Sequence, residues 1–128
     1  MSLGDILNKK EFILPMKSQP NSPLTEATFF ILLSLSPSAK HGYAIMKEVK
    51  ALSNGRIVFS TVTLYGALRR LLEQGWIKRV TDPEPNPTDR ERKAYALTDR
   101  GRRVVNAETE RLRSLLIMAE QRTSESPS

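Results

Sequence analysis

From residue 24 onward, apolar residues recur three times with a helical beat, break into two short strand-like runs, and then return to a helical beat. "NSPLTEATFFILLSLSPS" carries Leu24, Ala27, Ile31 and Leu35 at helical spacing, with Phe30, Leu32 and Leu33 spreading apolar character around most of the circumference. A helix of that kind belongs in a core. Ser22 is a candidate N-cap with Pro23 at the first helical position, where a missing N–H costs least, and "SPS" closes the element. In "HGYAIMKEVKAL" Ile45, Val49 and Leu52 share one face, with Lys47, Glu48 and Lys50 elsewhere. "SNG" ends this second helix through a left-handed Asn54 or Gly55. "STVTLYGALRRLLEQG" is the third helix. Ser60 or Thr61 caps it, Leu64, Leu68, Leu71 and Leu72 form its inward stripe, and Gly75 lies just past its end.

Beyond Gly75 the period shortens. "WIKRV" reads as a strand, "TDPEPNPTDR" with three prolines excludes regular structure, and "ERKAYAL" reads as a second strand with Lys93, Tyr95 and Leu97 on one face. Two strands around a polar loop too long for a tight turn make a hairpin with a projecting tip. Thr98 in "TDRG" is a good N-cap for a last helix through "RRVVNAETERLRSLLIMAEQ". Val105, Leu112 and Ala119 stand seven apart in it, and Leu115 and Leu116 fill the turn between, a coiled-coil-like stripe that asks for a partner. Residues 1–22 carry no sustained period and read as a flexible N-terminal arm. The expected division is an arm over 1–22, a body over 23–101, a helix over 102–122 and a polar tail over 123–128.

The 128 residues, 39% of them hydrophobic, can fill one modest core. A formal charge of +6 and a pI near 9.9 favour polyanionic partners. The excess is local. Residues 40–80 hold eight basic side chains (Lys40, Lys47, Lys50, Arg56, Arg69, Arg70, Lys78, Arg79) against Glu48 and Glu73, whereas residues 1–39 hold three of each sign. Without cysteine there is no disulfide, thiolate nucleophile or cysteine-bound metal, and the single histidine, His41, suits a helix-end packing or hydrogen-bonding role better than a metal site. No run approaches the ~18 apolar residues of a membrane span, and "MSLGDILNKKEF" lacks the apolar block of a signal peptide, so a cytoplasmic protein is expected. The chain offers no Gly-rich phosphate loop, no glycine-flanked nucleophile and no Ser/His/Asp set in a credible context. The expectation is a protein that is not an enzyme and needs no cofactor.

Helix, helix, helix, strand, projecting loop, strand, helix, with a short linker between the second and third helices, is the layout of a winged helix-turn-helix. The expected fold is mainly α with a small β-hairpin, extended by a C-terminal dimerisation helix that buries Val105, Leu112, Leu115, Leu116 and Ala119. In that layout the outer face of the third helix enters the major groove of DNA and the hairpin loop lies against the adjacent backbone or minor groove. Short donors and acceptors near the helix N-terminus, with cations behind them, suit base edges and phosphates. Thr61, Thr63 and Tyr65, then Arg69 and Arg70, follow that order. Each has a plainer role: the hydroxyls as caps, the tyrosine as a core-edge aromatic, the arginines as solvated charge. Beside the loop, Arg92 and Lys93 are the wing's candidate phosphate contacts, although Asp82, Glu84, Asp89 and Glu91 nearly cancel the charge of the hairpin. A winged-helix module that binds another protein is the alternative.

Three stretches also resemble a known family. "HGYAIMKEV" from His41, "TLYGALRRLLEQGWI" from Thr63 and "RKAYALTDRGR" from Arg92 resemble, in the same order, motifs of the PadR family of bacterial transcriptional regulators. The resemblance implies a homodimeric regulator, usually a repressor, that binds a palindromic operator in double-stranded DNA and pairs through its C-terminal helix. The single helix after the wing is similar to that of short-tailed members, whose effectors, where any exist, are small hydrophobic or aromatic molecules near the dimer interface. By the same resemblance Tyr65 corresponds to the tyrosine of the family's "LYPAL" pattern, and Arg92 and Lys93 to its basic residues entering the second wing strand. Gly66 stands where that pattern has proline, and a glycine inside a helix costs roughly 1 kcal/mol relative to alanine.

Overall fold

The computed structural model describes residues 23–81 and 93–124. The expected N-terminal arm, the hairpin tip with Arg92, and residues 125–128 lie outside them. The elements run α1 (Glu26–Leu35), β1 (Lys40–His41), α2 (Gly42–Leu52), α3 (Thr61–Gln74), β2 (Ile77–Val80), β3 (Ala94–Leu97) and α4 (Asp99–Ser124). This is the expected winged helix-turn-helix, with differences at three places.

The first helix starts later than "NSP" suggests. Thr25 is the N-cap, its Oγ1 accepting the Thr28 N–H at 3.1 Å, and Glu26 places an acid in the first turn, where the helix dipole favours it. Pro23 therefore precedes the helix, and Ser22 is outside the described residues. The second difference is Leu52, which is exposed at the end of α2, while Ile45 and Val49 are buried. Ser53 instead turns inward, donating to the Lys50 carbonyl and accepting the Ile57 N–H at 2.9 Å. Asn54 and Gly55 both take positive φ, at 55° and 79°, and end the helix as expected.

The third difference is an additional strand. The sheet is three-stranded and antiparallel in the order β1-β3-β2, with Lys40 opposite Tyr95 and His41 opposite Ala94. Two residues carry no detectable period; β1 exists because the edge of β3 offers its backbone partners. As the central strand, β3 buries Ala94, Tyr95 and Leu97, while Lys93 stays exposed just before it. His41 occupies the N-cap position of α2 without a side-chain capping bond.

One core joins these pieces: Ile31, Leu32 and Leu35 from α1, Ile45 and Val49 from α2, and Leu64, Leu68 and Leu71 from α3 meet Trp76, Ile77, Tyr95, Leu97, Val104 and Val105. Ser60 caps α3, its Oγ accepting the Thr63 N–H at 3.1 Å. Gly75 ends it at φ 77°, with Trp76 N–H bonded to the Leu71 carbonyl and Gly75 N–H to that of Leu72, a Schellman arrangement. Gly66 does not interrupt the helix.

"LTDRG" locks the last helix onto this terminus. Thr98 Oγ1 donates to the Gly75 carbonyl at 2.6 Å and accepts the Gly101 N–H at 3.0 Å, which makes it the expected cap and a tether in one. A side chain at position 101 would collide with the Trp76 carbonyl oxygen. Further along α4, Glu108 is buried at 3% exposure. Arg111 binds its carboxylate at 2.5 Å and holds it below the usual carboxylate range against the opposing effect of burial. From Leu112 to Ser124 the helix is exposed all round. No helix among the described residues is long and apolar enough to cross a membrane.

Candidate nucleic-acid interface

The 3.6-residue period turns Leu64, Ala67, Leu68 and Leu71 of α3 inward and leaves Thr61, Val62, Thr63, Arg69 and Arg70 exposed. Thr63 serves the cap, its Oγ1 accepting from Ser60 Oγ at 3.0 Å, yet remains exposed, so its hydroxyl serves structure without leaving the surface. Tyr65 divides its side chain. Its hydroxyl end lies against Gly42 at the start of α2, where an added Cβ would overlap the phenol, while the residue keeps 39% exposure. The aromatic thus braces α3 against α2 and offers an edge to the outside.

Tyr65, Arg69 and Lys93 come together around a crevice of about 160 Å³ between α3 and the sheet, completed by Leu68, Leu72, Arg79 and Tyr95. Arg70 lies around the helix from it, and Arg92 is outside the described residues. Arg79 is the member that sequence reading left out of the site. It stands opposite Tyr95 across β2 and β3, close enough for its charge to act on the tyrosine's phenol. Burial pushes the Tyr95 phenol up, Tyr65 adds to the rise, and Arg79 draws it back. The signal was present in "IKRV", two cations in a strand that follows directly on the helix, but only the sheet register places Arg79 in the crevice.

Six of the eight cations of residues 40–80 fall into two groups, Lys47 and Lys50 being exposed on α2. Lys40 Nζ donates to the Ser34 carbonyl at 2.7 Å, near the end of α1, and lies 3.7 Å from Glu48. Arg56 forms a two-pronged pair with Glu26 at 2.9 and 2.7 Å. These two cations serve the fold. Arg69, Arg70, Lys78, Arg79 and Lys93 are exposed on α3 and the wing strands. Exposed hydroxyls at the start of one helix and cations farther along its outer side make a surface suited to phosphates and hydrogen-bonding base edges.

A second exposed surface is apolar. Leu112, Leu115, Leu116 and Ala119 continue the same face of α4 that buries Val104, Val105 and Glu108, but 39%, 46% and 57% of the three leucines is exposed. Ile117 and Met118 flank them at 47% and 54%. Val105 itself, at 8% exposure, belongs to the core of its own chain.

The transcriptional regulator PadR-like family model matches residues 31–107. A search of curated proteins returns no match to this chain. Among solved structures, the chain is similar to a PadR family transcription regulator from hypervirulent Clostridium difficile R20291, at 23% identity and TM-score 0.60 over 74% of this chain and 95% of that one. It is also similar to smu.1704 of Streptococcus mutans UA159, at 22% identity and TM-score 0.63 over 84% and 96%. Bacillus subtilis PadR, solved in complex with operator DNA, matches at 26% identity and TM-score 0.53 over 62% of this chain and 44% of that chain. The family match takes in all three motifs, from the core of α1 to the buried half of α4 and across more than half of the sequence, and the chain belongs to the PadR-like family of transcriptional regulators.

Proposed function

We propose that the protein is a sequence-specific DNA-binding regulator, a repressor that acts as a homodimer on a palindromic operator. The observation that carries this reading is the exposed edge of α3, where Thr61 and Thr63 precede Arg69 and Arg70 and the wing adds Arg79 and Lys93. The α3 N-terminus enters the major groove, Thr61 and Thr63 meet base edges, and the cations at the crevice hold phosphates on either side. Bacillus subtilis PadR in complex with operator DNA supports the same use of the fold.

Two copies pair through Leu112, Leu115, Leu116 and Ala119, the part of the α4 stripe that no segment of the described chain covers. Pairing sets the separation of the two α3 helices, which must match successive major grooves about 34 Å apart. Repression follows where the operator overlaps a promoter. A small hydrophobic or aromatic effector lodged between the paired helices would change that separation and release DNA.

Measuring duplex binding across a salt series tests the site. Arg69→Ala and Lys93→Ala should each weaken binding and lower the slope of log K against log salt by about 1, with an unchanged thermal midpoint. A folded double variant with wild-type affinity and slope would remove these residues from the interface. Absence of any salt-sensitive duplex binding by the wild type would favour the protein-binding alternative.

A further inference from the structure

The outward line of α3 contains two residues that neither the fold nor the charged edge explains. Opposite the buried stripe, the helical period lines up Val62, Gly66, Arg69 and Glu73. Val62 is 83% exposed, in the first turn of the helix. A β-branched side chain there gains nothing from propensity, and at that exposure it gains little from packing. Gly66 has no positive φ, and a Cβ built on it meets only Arg70 Nη1 at 3.9 Å, an ordinary contact. Nothing within the described chain requires glycine, although alanine would make the more stable helix. A missing Cβ on an outward line leaves room for the close approach of something external.

We infer that Val62 and Gly66 form an apolar notch that receives the 5-methyl group of a thymine in the major groove of duplex DNA. The inference rests on the DNA-binding reading of α3 and adds a specificity element to it. Val62 contributes two methyl groups and Gly66 a bare backbone, so neither residue of the notch brings a polar side chain, and the Arg70 guanidinium stands at its edge. Of the groups that base pairs present in the major groove, the thymine methyl is the apolar one, and it is the partner such a notch can recognise. The place is suitable, because the first residues of a recognition helix are those that reach base edges. Thr61 and Thr63 beside Val62, and Arg69 and Arg70 beyond Gly66, supply the hydrogen bonds and charge that the notch lacks.

The test begins with selection of bound duplexes from a random library, followed by replacement of each thymine in the selected site by deoxyuridine, which removes only the methyl group. At one thymine or more in each half-site, wild-type affinity should fall about fourfold, the loss expected for one buried methyl. Val62→Ala should bind the thymine site more weakly and no longer distinguish it from the deoxyuridine site, since the two changes delete the same contact. Gly66→Ala should raise the thermal midpoint by several degrees while lowering affinity for the selected site at least tenfold. Indifference of the wild type to deoxyuridine everywhere, a Val62→Ala protein that keeps the discrimination, or a Gly66→Ala protein that binds as tightly as wild type would each overturn the notch. All three results presuppose salt-dependent duplex binding, and its absence in every variant would overturn the DNA-binding reading together with the notch.

Discussion

The two halves of α4 carry one pattern and have two fates. In Asp99–Arg111 the stripe of Val104, Val105 and Glu108 is buried against the rest of the fold, while in the half beginning at Leu112 the same stripe continues through Leu115, Leu116 and Ala119 in the open. Helical phase cannot distinguish them. What differs is the length of the body beside the helix: thirteen residues past Arg111 extend about 20 Å at 1.5 Å per residue. A stripe becomes core only where something faces it, so the two halves should fail in different ways when damaged.

The largest effect is expected from Val104→Asp. Placing an unpaired charge at a site with 2% exposure should abolish the cooperative thermal transition and the helical circular dichroism of the protomer. The same chemistry in the outer half, Leu112→Asp with Leu116→Asp, should leave the fold intact and remove self-association, read as a halved mass by light scattering. Persistence of a dimer in that double variant would take the pairing surface away from the outer half.

A smaller effect separates the halves by pH. Glu108, in the inner half, has a carboxyl held below its ordinary range by Arg111, so its folded form binds a proton less readily than the unfolded chain. Its stabilising contribution is complete above the ordinary carboxylate value, about 4.3, and is lost as pH falls through that value toward the lower folded one. The thermal midpoint should therefore drop on acidification, and Glu108→Gln should flatten that drop relative to wild type. The smallest effect belongs to Glu110, whose pairing with Arg113 at 3.5 Å is largely exposed. Glu110→Gln should change stability by less than about 0.5 kcal/mol in a denaturant titration.

The charged surface follows the same logic as the helix. Eight cations in residues 40–80 are visible without any structure, but their division is not. Lys40 becomes a tie to the α1 carbonyl of Ser34, and Arg56 a partner for Glu26, thirty residues away. Arg79 enters the crevice with Tyr65, Lys93 and Tyr95 because β2 pairs in one register with β3. Tyr65 is similar: its helical phase predicts an edge position, and only the approach of Gly42 shows that its hydroxyl end is committed to α2. Candidate residues were thus legible by type and helical face, while their grouping depended on contacts between distant segments.

The sequence by itself determined the four helices, two of the three strands, the cap at Thr98 and one at Ser60 or Thr61, a left-handed stop at Asn54 or Gly55, the end of α3 at Gly75, and the region where positive charge collects. These depend on backbone sterics, local hydrogen bonds and periodicity, all of which act within a few residues. Tertiary structure decided the third strand, the loss of Lys40 and Arg56 to internal pairs, the entry of Arg79 into the crevice, and the point along α4 where core gives way to open surface. Each of these depends on which segment stands opposite, and pairing and burial are properties of two surfaces at once.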